Sequence, residues 1–267
     1  LSKLLSYFTV TIFDMHENIF LKFKSLFYRR CLAFFVRNQN VIFAEKSYSK
    51  YFDREALNSI DFLNLPLRND MPVFHETREN EKAFGLKLCY VGVISESRCI
   101  PELLDAYMRL YELDRSIGFD LIGPCANKTL LSRIKVVESE TALTYHPRVP
   151  ANVAYRFINN SDICLCLLKP IPNYYESFPT KIYEYILFRK PFITSDFPVI
   201  KEGLLDFDFP SEFFLGDDRE LFESLLYMIN NIDAFRNVDG LKNDSSWLLF
   251  WDECLPILES YYENIRR

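Results

Sequence analysis

The sequence predicts an α/β fold built on a parallel sheet, and three observations carry that reading. From Leu86 onward, short apolar runs alternate with amphipathic helical stretches. The connections between them are short, as strand–helix–strand units require. The 267 residues suffice for one large domain or two smaller ones with a sizeable core.

In chain order, Val10–Asp14 reads as a short buried strand, Asn18–Phe35 as a helix and Val41–Ala44 as a second strand. Asn58–Gly85 has weak periodicity, several charges and prolines at 66 and 72, so it reads as a linker. Strands follow near 86–91, 119–122, 142–145, 162–168 and 191–195, with helices near 100–113, 127–138, 151–160 and 179–189. A further helix covers Asp218–Asn230, and Ser245–Ile265 reads as a final helix bent near Pro256. There is no internal repeat and no low-complexity tract.

Composition narrows the function. Phenylalanine (25) and tyrosine (16) are abundant, whereas seven glycines argue against a glycine-rich phosphate loop. A net charge of −6 gives no reason to expect a nucleic-acid partner. The seven cysteines show no paired spacing, and Cys164 and Cys166 alternate along one apolar run. They read as reduced core residues in a reducing compartment, the cytoplasm. The apolar start ends at Asp14 without a small-residue cleavage site, and no run of eighteen apolar residues follows. The chain begins with Leu rather than Met, which reads as a fragment or a processed chain.

The chemistry concentrates in Tyr175-Glu-Ser-Phe-Pro-Thr-Lys-Ile-Tyr-Glu-Tyr185. Ser177 suits a helix cap and Pro179 the first turn. Glu176 then precedes the helix, and Glu184 projects from it about two turns on. Free N–H groups and Lys181 between them suit a phosphorylated ligand, with the diphosphate at the helix start and a carboxylate for hydroxyl groups on either side. The competing reading is a surface helix with two solvated glutamates.

This stretch resembles the donor site of GT-B glycosyltransferases, in particular the retaining enzymes of glycosyltransferase family 4. Their signature is a glutamate, seven residues and a second glutamate, followed by a strand; Glu176 and Glu184 match it. The resemblance implies that Glu176 touches the transferred sugar, that Glu184 binds the ribose, and that Ser177, Phe178, Pro179 and Thr180 line the donor. It runs from about Thr11 to the C-terminus. It implies that residues 1–60 are the last part of an N-terminal, acceptor-side domain and 61–85 a linker. Residues 86–240 would be a Rossmann-like domain binding the nucleotide sugar, and 241–267 a segment returning to the N-terminal domain. Most of that N-terminal domain is missing, the largest departure from the family.

Other segments extend the resemblance. In Tyr90-Val-Gly-Val-Ile-Ser-Glu-Ser-Arg98, Gly92 permits close backbone approach to a ligand, and Arg98 offers a forked donor to phosphate oxygens. Many relatives carry an arginine directly after this glycine and a lysine–glycine pair further on. Here Val93 and Arg98-Cys99 stand in those places, and Lys181 makes up part of the lost charge. Arg98 also reads as a solvated arginine at a helix start. Gly123, in Leu-Ile-Gly-Pro124, matches a strand-end glycine that gives room near the nucleotide, although Gly-Pro is also a plain turn signal. Arg148, in His146-Pro-Arg-Val-Pro150, falls in the loop that passes the nucleobase, or is simply an exposed loop residue. His16 resembles a strand-end histidine facing the donor sugar, against a purely structural alternative. Asp206-Phe-Asp208 copies the Asp-x-Asp of metal-dependent transferases but reads as coincidence.

The implied reaction moves a sugar from a nucleoside diphosphate sugar to a hydroxyl of a saccharide or lipid-linked acceptor, with retention and without a metal or other cofactor. Arg98, Lys181 and the N–H groups of residues 178–180 would stabilise the departing diphosphate. Glu176 and His16 would contact the sugar. The setting this implies is synthesis of cell-surface polysaccharide or glycolipid. The phenylalanines and basic residues of Asn18–Phe35 read as an ordinary domain helix, or as an amphipathic surface meeting the inner face of the cytoplasmic membrane. Two rivals stay open: a GT-B type sugar-nucleotide epimerase, and a truncated, non-catalytic domain that binds nucleotide or a partner. A nicotinamide enzyme is disfavoured, because no Gly-x-Gly-x-x-Gly follows a strand. The missing N-terminal part implies that this chain alone is poorly active.

Overall fold

The computed structural model describes residues 12–15, 39–44, 52, 58–62, 65–66, 85–205, 207, 209, 211–214, 216–236 and 251–266. Two compact units emerge. One comprises Leu1–Arg68, Pro172–Phe178 and Leu249–Arg267, and the other Asn69–Ile171 and Pro179–Leu248.

The first unit carries a three-stranded parallel sheet of β1 (Ile12–Met15), β2 (Asn40–Phe43) and β3 (Asn58–Asp61), in that order. Val41 pairs with Phe13 on one side and Ser59 on the other. The C-terminal helix, Leu255–Arg266, brings Tyr261 to β2 and β3. The Tyr261 hydroxyl accepts from the Val41 N–H at 3.0 Å and donates to the Asn58 carbonyl at 2.5 Å. Around it, Ile42, Phe62 and Cys254 form a small apolar cluster. Pro256 falls in the first turn of this helix rather than at a bend within it, where the N–H that proline lacks has no intrahelical partner.

The second unit holds β4 (Leu86–Val91), β5 (Ile117–Ile122), β6 (Leu143–His146), β7 (Ile163–Cys166), β8 (Phe192–Ser195) and β9 (Ser211–Phe214). All pair in parallel, in the order β6-β5-β4-β7-β8-β9. The connecting helices are α1 (Ile100–Leu113), α2 (Lys128–Glu140), α3 (Ala151–Asn160), α4 (Thr180–Leu187) and α5 (Pro198–Leu204); α6 (Asp218–Asn230) and α7 (Ile232–Arg236) follow β9. All six residues of β5 are buried, as expected of a parallel strand covered on both faces. On one face Leu88, Tyr90, Phe119 and Leu121 pack with Leu103 and Tyr107 of α1 and Leu225 of α6. Side chains alternate along a strand, so Asp120 points to the other face. It is buried there between Lys87 (2.7 Å) and His146 (3.1 Å), and the His146 ring packs on Phe157 of α3 at 4.4 Å.

The alternation expected from Leu86 onward is therefore present, with differences elsewhere. Asn58–Asp61 is a strand, not linker: its backbone completes the edge of β2 although its own side chains carry little apolar signal. The sequence reading also missed β9, α5, α7 and the helical turn Pro172–Tyr175, all too short to display a period. The expected helix Asn18–Phe35, His16, Asp206 and Asp208, and the start of the expected final helix lie outside the described residues.

Candidate functional site

In the second unit the chain leaves β4 toward β5 on one side and β7 toward β8 on the other. The strand order thus reverses between β4 and β7. In a parallel sheet of this kind, the crevice beyond the carboxyl ends of those two strands is where ligands bind.

The β4 exit forms one wall. The Gly92 N–H donates to Ile122 O at 3.0 Å, and the Gly123 N–H to His146 O at 2.9 Å, so strand-like bonding continues past β4 and β5. Gly123 has φ +142°, and a Cβ there would stand 1.8 Å from Gly92 O. Gly123 is therefore required first by the neighbouring backbone, a tighter reason than the room for a nucleotide expected from the sequence. The Tyr90 hydroxyl caps Val93 O at 2.8 Å and lies 3.2 Å from where a Gly92 Cβ would be. A turn of 3₁₀ helix, Glu96–Arg98, then leads through Cys99, at φ 53°, into α1.

The opposite wall follows β7. The Ser195 hydroxyl donates to Leu168 O at 2.8 Å and accepts from the Leu168 N–H at 2.7 Å. The Thr194 hydroxyl donates to Cys166 O at 3.1 Å. Helix α4 starts at Thr180 with Pro179 as its N-cap residue and no side-chain cap. Lys181 Nζ lies 2.7 Å from Glu184 Oε2, one helical turn away. Glu184 is only 6% exposed, so it is not a solvated surface glutamate.

Cys166 reports what converges at the end of β7. Burial pushes its thiol up to about 11, against the pull of the nearby Arg98 and Lys181 cations and the Thr194 hydrogen bond, with Glu184 adding a further upward push. Arg98, Lys181 and the buried Glu184 are thus near enough for their charges to act on this thiol.

The structure pairs Lys181 with Glu184 and packs Gly92 against Gly123. Arg98 is half-buried rather than solvated. Pro179 and Thr180 open α4 and are half-buried. Arg148 is exposed on the loop after β6. Glu176, Ser177 and Phe178 are half-buried and belong to the first unit. Ser177 is not the cap expected from the sequence: its hydroxyl donates to Asn173 O at 2.6 Å, which closes the turn Pro172–Tyr175 instead. Among the described residues no three His, Cys, Asp or Glu side chains form a metal-holding group. No helix among them is long and apolar enough to cross a membrane. Sequence reasoning missed the pair Lys169–Glu102 at 2.8 Å beside the crevice. A lysine closing the apolar run of residues 163–168 was the available signal.

No protein-family model matches the chain, and no curated protein matches it in sequence. Solved structures do match. Sucrose-phosphate synthase from Thermosynechococcus elongatus superposes with a TM-score of 0.73 at 14% identity, covering 98% of this chain and 70% of that one. Anabaena HepE in complex with UDP and glucose gives 0.68 at 15%, covering 94% and 71%. The pneumococcal O-GlcNAc transferase GtfA, in complex with UDP and GlcNAc, gives 0.59 at 13%, covering 90% and 47%. At such identities the likeness is one of fold: the chain has the α/β, parallel-sheet architecture of its structural neighbours, which are GT-B glycosyltransferases.

Proposed function

We propose that this chain binds a nucleoside diphosphate sugar at the carboxyl ends of β4 and β7 and takes part in transferring the sugar to a hydroxyl acceptor. The observation that carries the reading is the Lys181–Glu184 pair at the start of α4, its carboxylate buried, with Gly92 and Arg98 on the chain leaving β4, where the strand order reverses. The neighbours support it: Anabaena HepE is seen with UDP and glucose and with UDP-glucose, and GtfA with UDP and GlcNAc. A uridine nucleotide is therefore the first ligand to test.

In this reading the hard step is departure of the diphosphate. Negative charge grows on its oxygen as the sugar gains oxocarbenium character. Fixed cations answer that charge without reorganising, so Arg98 and Lys181 are given this role. Glu184, desolvated and held by Lys181, offers a carboxylate to ribose hydroxyls. Glu176 and His16 keep their proposed contacts with the sugar. Retention of configuration, independence of metal and a place in polysaccharide or glycolipid synthesis belong to the same proposal.

Calorimetry tests it with UDP, GDP, ADP and uridine against the wild type, Lys181→Ala and Glu184→Ala. One diphosphate is expected to bind. Lys181→Ala should weaken it at least about tenfold, as one charge-assisted contact implies. A folded wild type that binds none of the nucleotides overturns the reading.

A further inference from the structure

We infer that Lys169 is a positioning residue for Arg98, clipping the turn that carries the guanidinium from both of its flanks; the functional meaning of the clip rests on the nucleotide-binding reading above. Lys169 is the third residue after β7. Its backbone N–H donates to the carbonyl of Ser97, immediately before Arg98, at 2.9 Å. Its ammonium lies 2.8 Å from Oε1 of Glu102, in the first turn of α1 just after Arg98. One residue from the β7 wall thus holds the β4 wall on either side of the arginine.

The turn needs such a hold. Cys99, between the two attachments, is a non-glycine residue in the left-handed region at φ 53°, a conformation that persists only where its surroundings fix it. Inside the turn, Arg98 N–H reaches Ser95 O at 3.1 Å and Cys99 N–H reaches Glu96 O at 3.1 Å. Ser95 and Ser97 join their hydroxyls at 2.9 Å. These bonds are local, and Lys169 ties the turn to the β7 side.

The chemistry of the pair supports a holding role over direct ligand contact. The Glu102 side chain is 21% exposed, and its Oε2 is buried without a hydrogen-bond partner among the described residues. Its charge is met by Lys169. Glu102, and more weakly Glu96, hold the ammonium firmly protonated. Replacing the lysine by alanine keeps the backbone bond to Ser97 but strands a largely buried carboxylate, so the turn loses its hold on the α1 flank. Neutralising Glu102 is milder, because the Lys169 side chain is 39% exposed and can turn to water.

Two readouts test the clip. The first needs no ligand: amide hydrogen exchange across residues 95–99 of the intact chain. Exchange should rise at least about tenfold in Lys169→Ala, rise less in Glu102→Gln, and stay near wild type in Lys169→Arg, which keeps the cation. Unchanged exchange in both Lys169→Ala and Glu102→Gln overturns the clip. The second is a double-mutant cycle on UDP affinity. Arg98→Ala and Lys169→Ala should each weaken binding at least about tenfold, with the double variant no weaker than Arg98→Ala alone, because Lys169 acts through Arg98. Additive losses would overturn the positioning role and make Lys169 an independent contact. If the wild type binds no nucleotide, the functional reading fails, and the exchange experiment still decides whether the clip exists.

Discussion

The two sheets of this protein are secured by contacts of opposite kinds. In the six-stranded sheet one junction is backbone on backbone, where Gly123 admits the carbonyl of Gly92. In the three-stranded sheet, a hydroxyl 220 residues away in sequence takes the Val41 N–H. The first junction lies within one strand–helix–strand unit, so its glycine stands in the sequence where the strand ends. The second exists only once distant parts of the chain meet. Local chemistry thus marks the one in advance, and nothing near Val41 announces the other.

The largest effect should come from the backbone junction. A methyl group at position 123 would overlap the Gly92 carbonyl at 1.8 Å, and φ +142° is a conformation that alanine resists. Gly123→Ala should cost at least about 3 kcal/mol, read as a lower urea midpoint. An unchanged midpoint would show that the ends of β4 and β5 separate freely. Next is Lys181→Ala, which leaves Glu184 buried without its ammonium. A loss of about 1–3 kcal/mol is expected, moderated because the Lys181 side chain is 29% exposed. The double variant Lys181→Met/Glu184→Leu should recover most of that stability while still failing to bind nucleotide. Recovery of both would remove the pair from the proposed site.

The same contrast explains what the sequence could disclose. Strands β4 to β8 of the six-stranded sheet were legible because they are apolar runs, with amphipathic helices of ten or more residues in α1, α2 and α3 between them. β3 was not, because Asn58-Ser-Ile-Asp61 has one apolar side chain and gains its place from backbone pairing with β2. At the site, Glu184 and Lys181 were legible as residue types at a spacing. Their ion pair, and the burial that makes it matter, came only with the packing of α4. Ser177 misled because serine caps helices and closes turns with equal ease. Lys169 and Glu102, 67 residues apart, could not have been paired without the fold.

Removing the distant hydroxyl sharpens the comparison from the other side. Tyr261→Phe keeps the ring in its cluster with Ile42 and Phe62 but takes the acceptor from the Val41 N–H and the donor from Asn58 O. Val41 is fully buried, so water cannot readily substitute. About 1–2 kcal/mol should be lost, with faster amide exchange at Val41 as the specific sign. Unchanged exchange there would mean that the strand pairing of β2 is sufficient without the tyrosine.

The smallest expected effect is electrostatic. Glu138, near the end of α2, accepts from Lys135 Nζ at 2.7 Å and from the Tyr145 N–H at 2.8 Å, tying the helix to β6. These bonds favour the ionised form, with the Lys135 hydrogen bond the larger cause, and hold the carboxyl below its ordinary value of 4.5. In the unfolded chain Glu138 takes up its proton at a higher pH than in the fold. The stabilisation is therefore complete above 4.5 and is lost as pH falls toward the lower folded value. Lys135 is 57% exposed, so water screens the pair and the contribution stays below about 1 kcal/mol. Urea midpoints followed below pH 4.5 should fall more steeply for the wild type than for Glu138→Gln, whose amide cannot titrate. Parallel acid limbs would show that the tie between α2 and β6 does not depend on the charge.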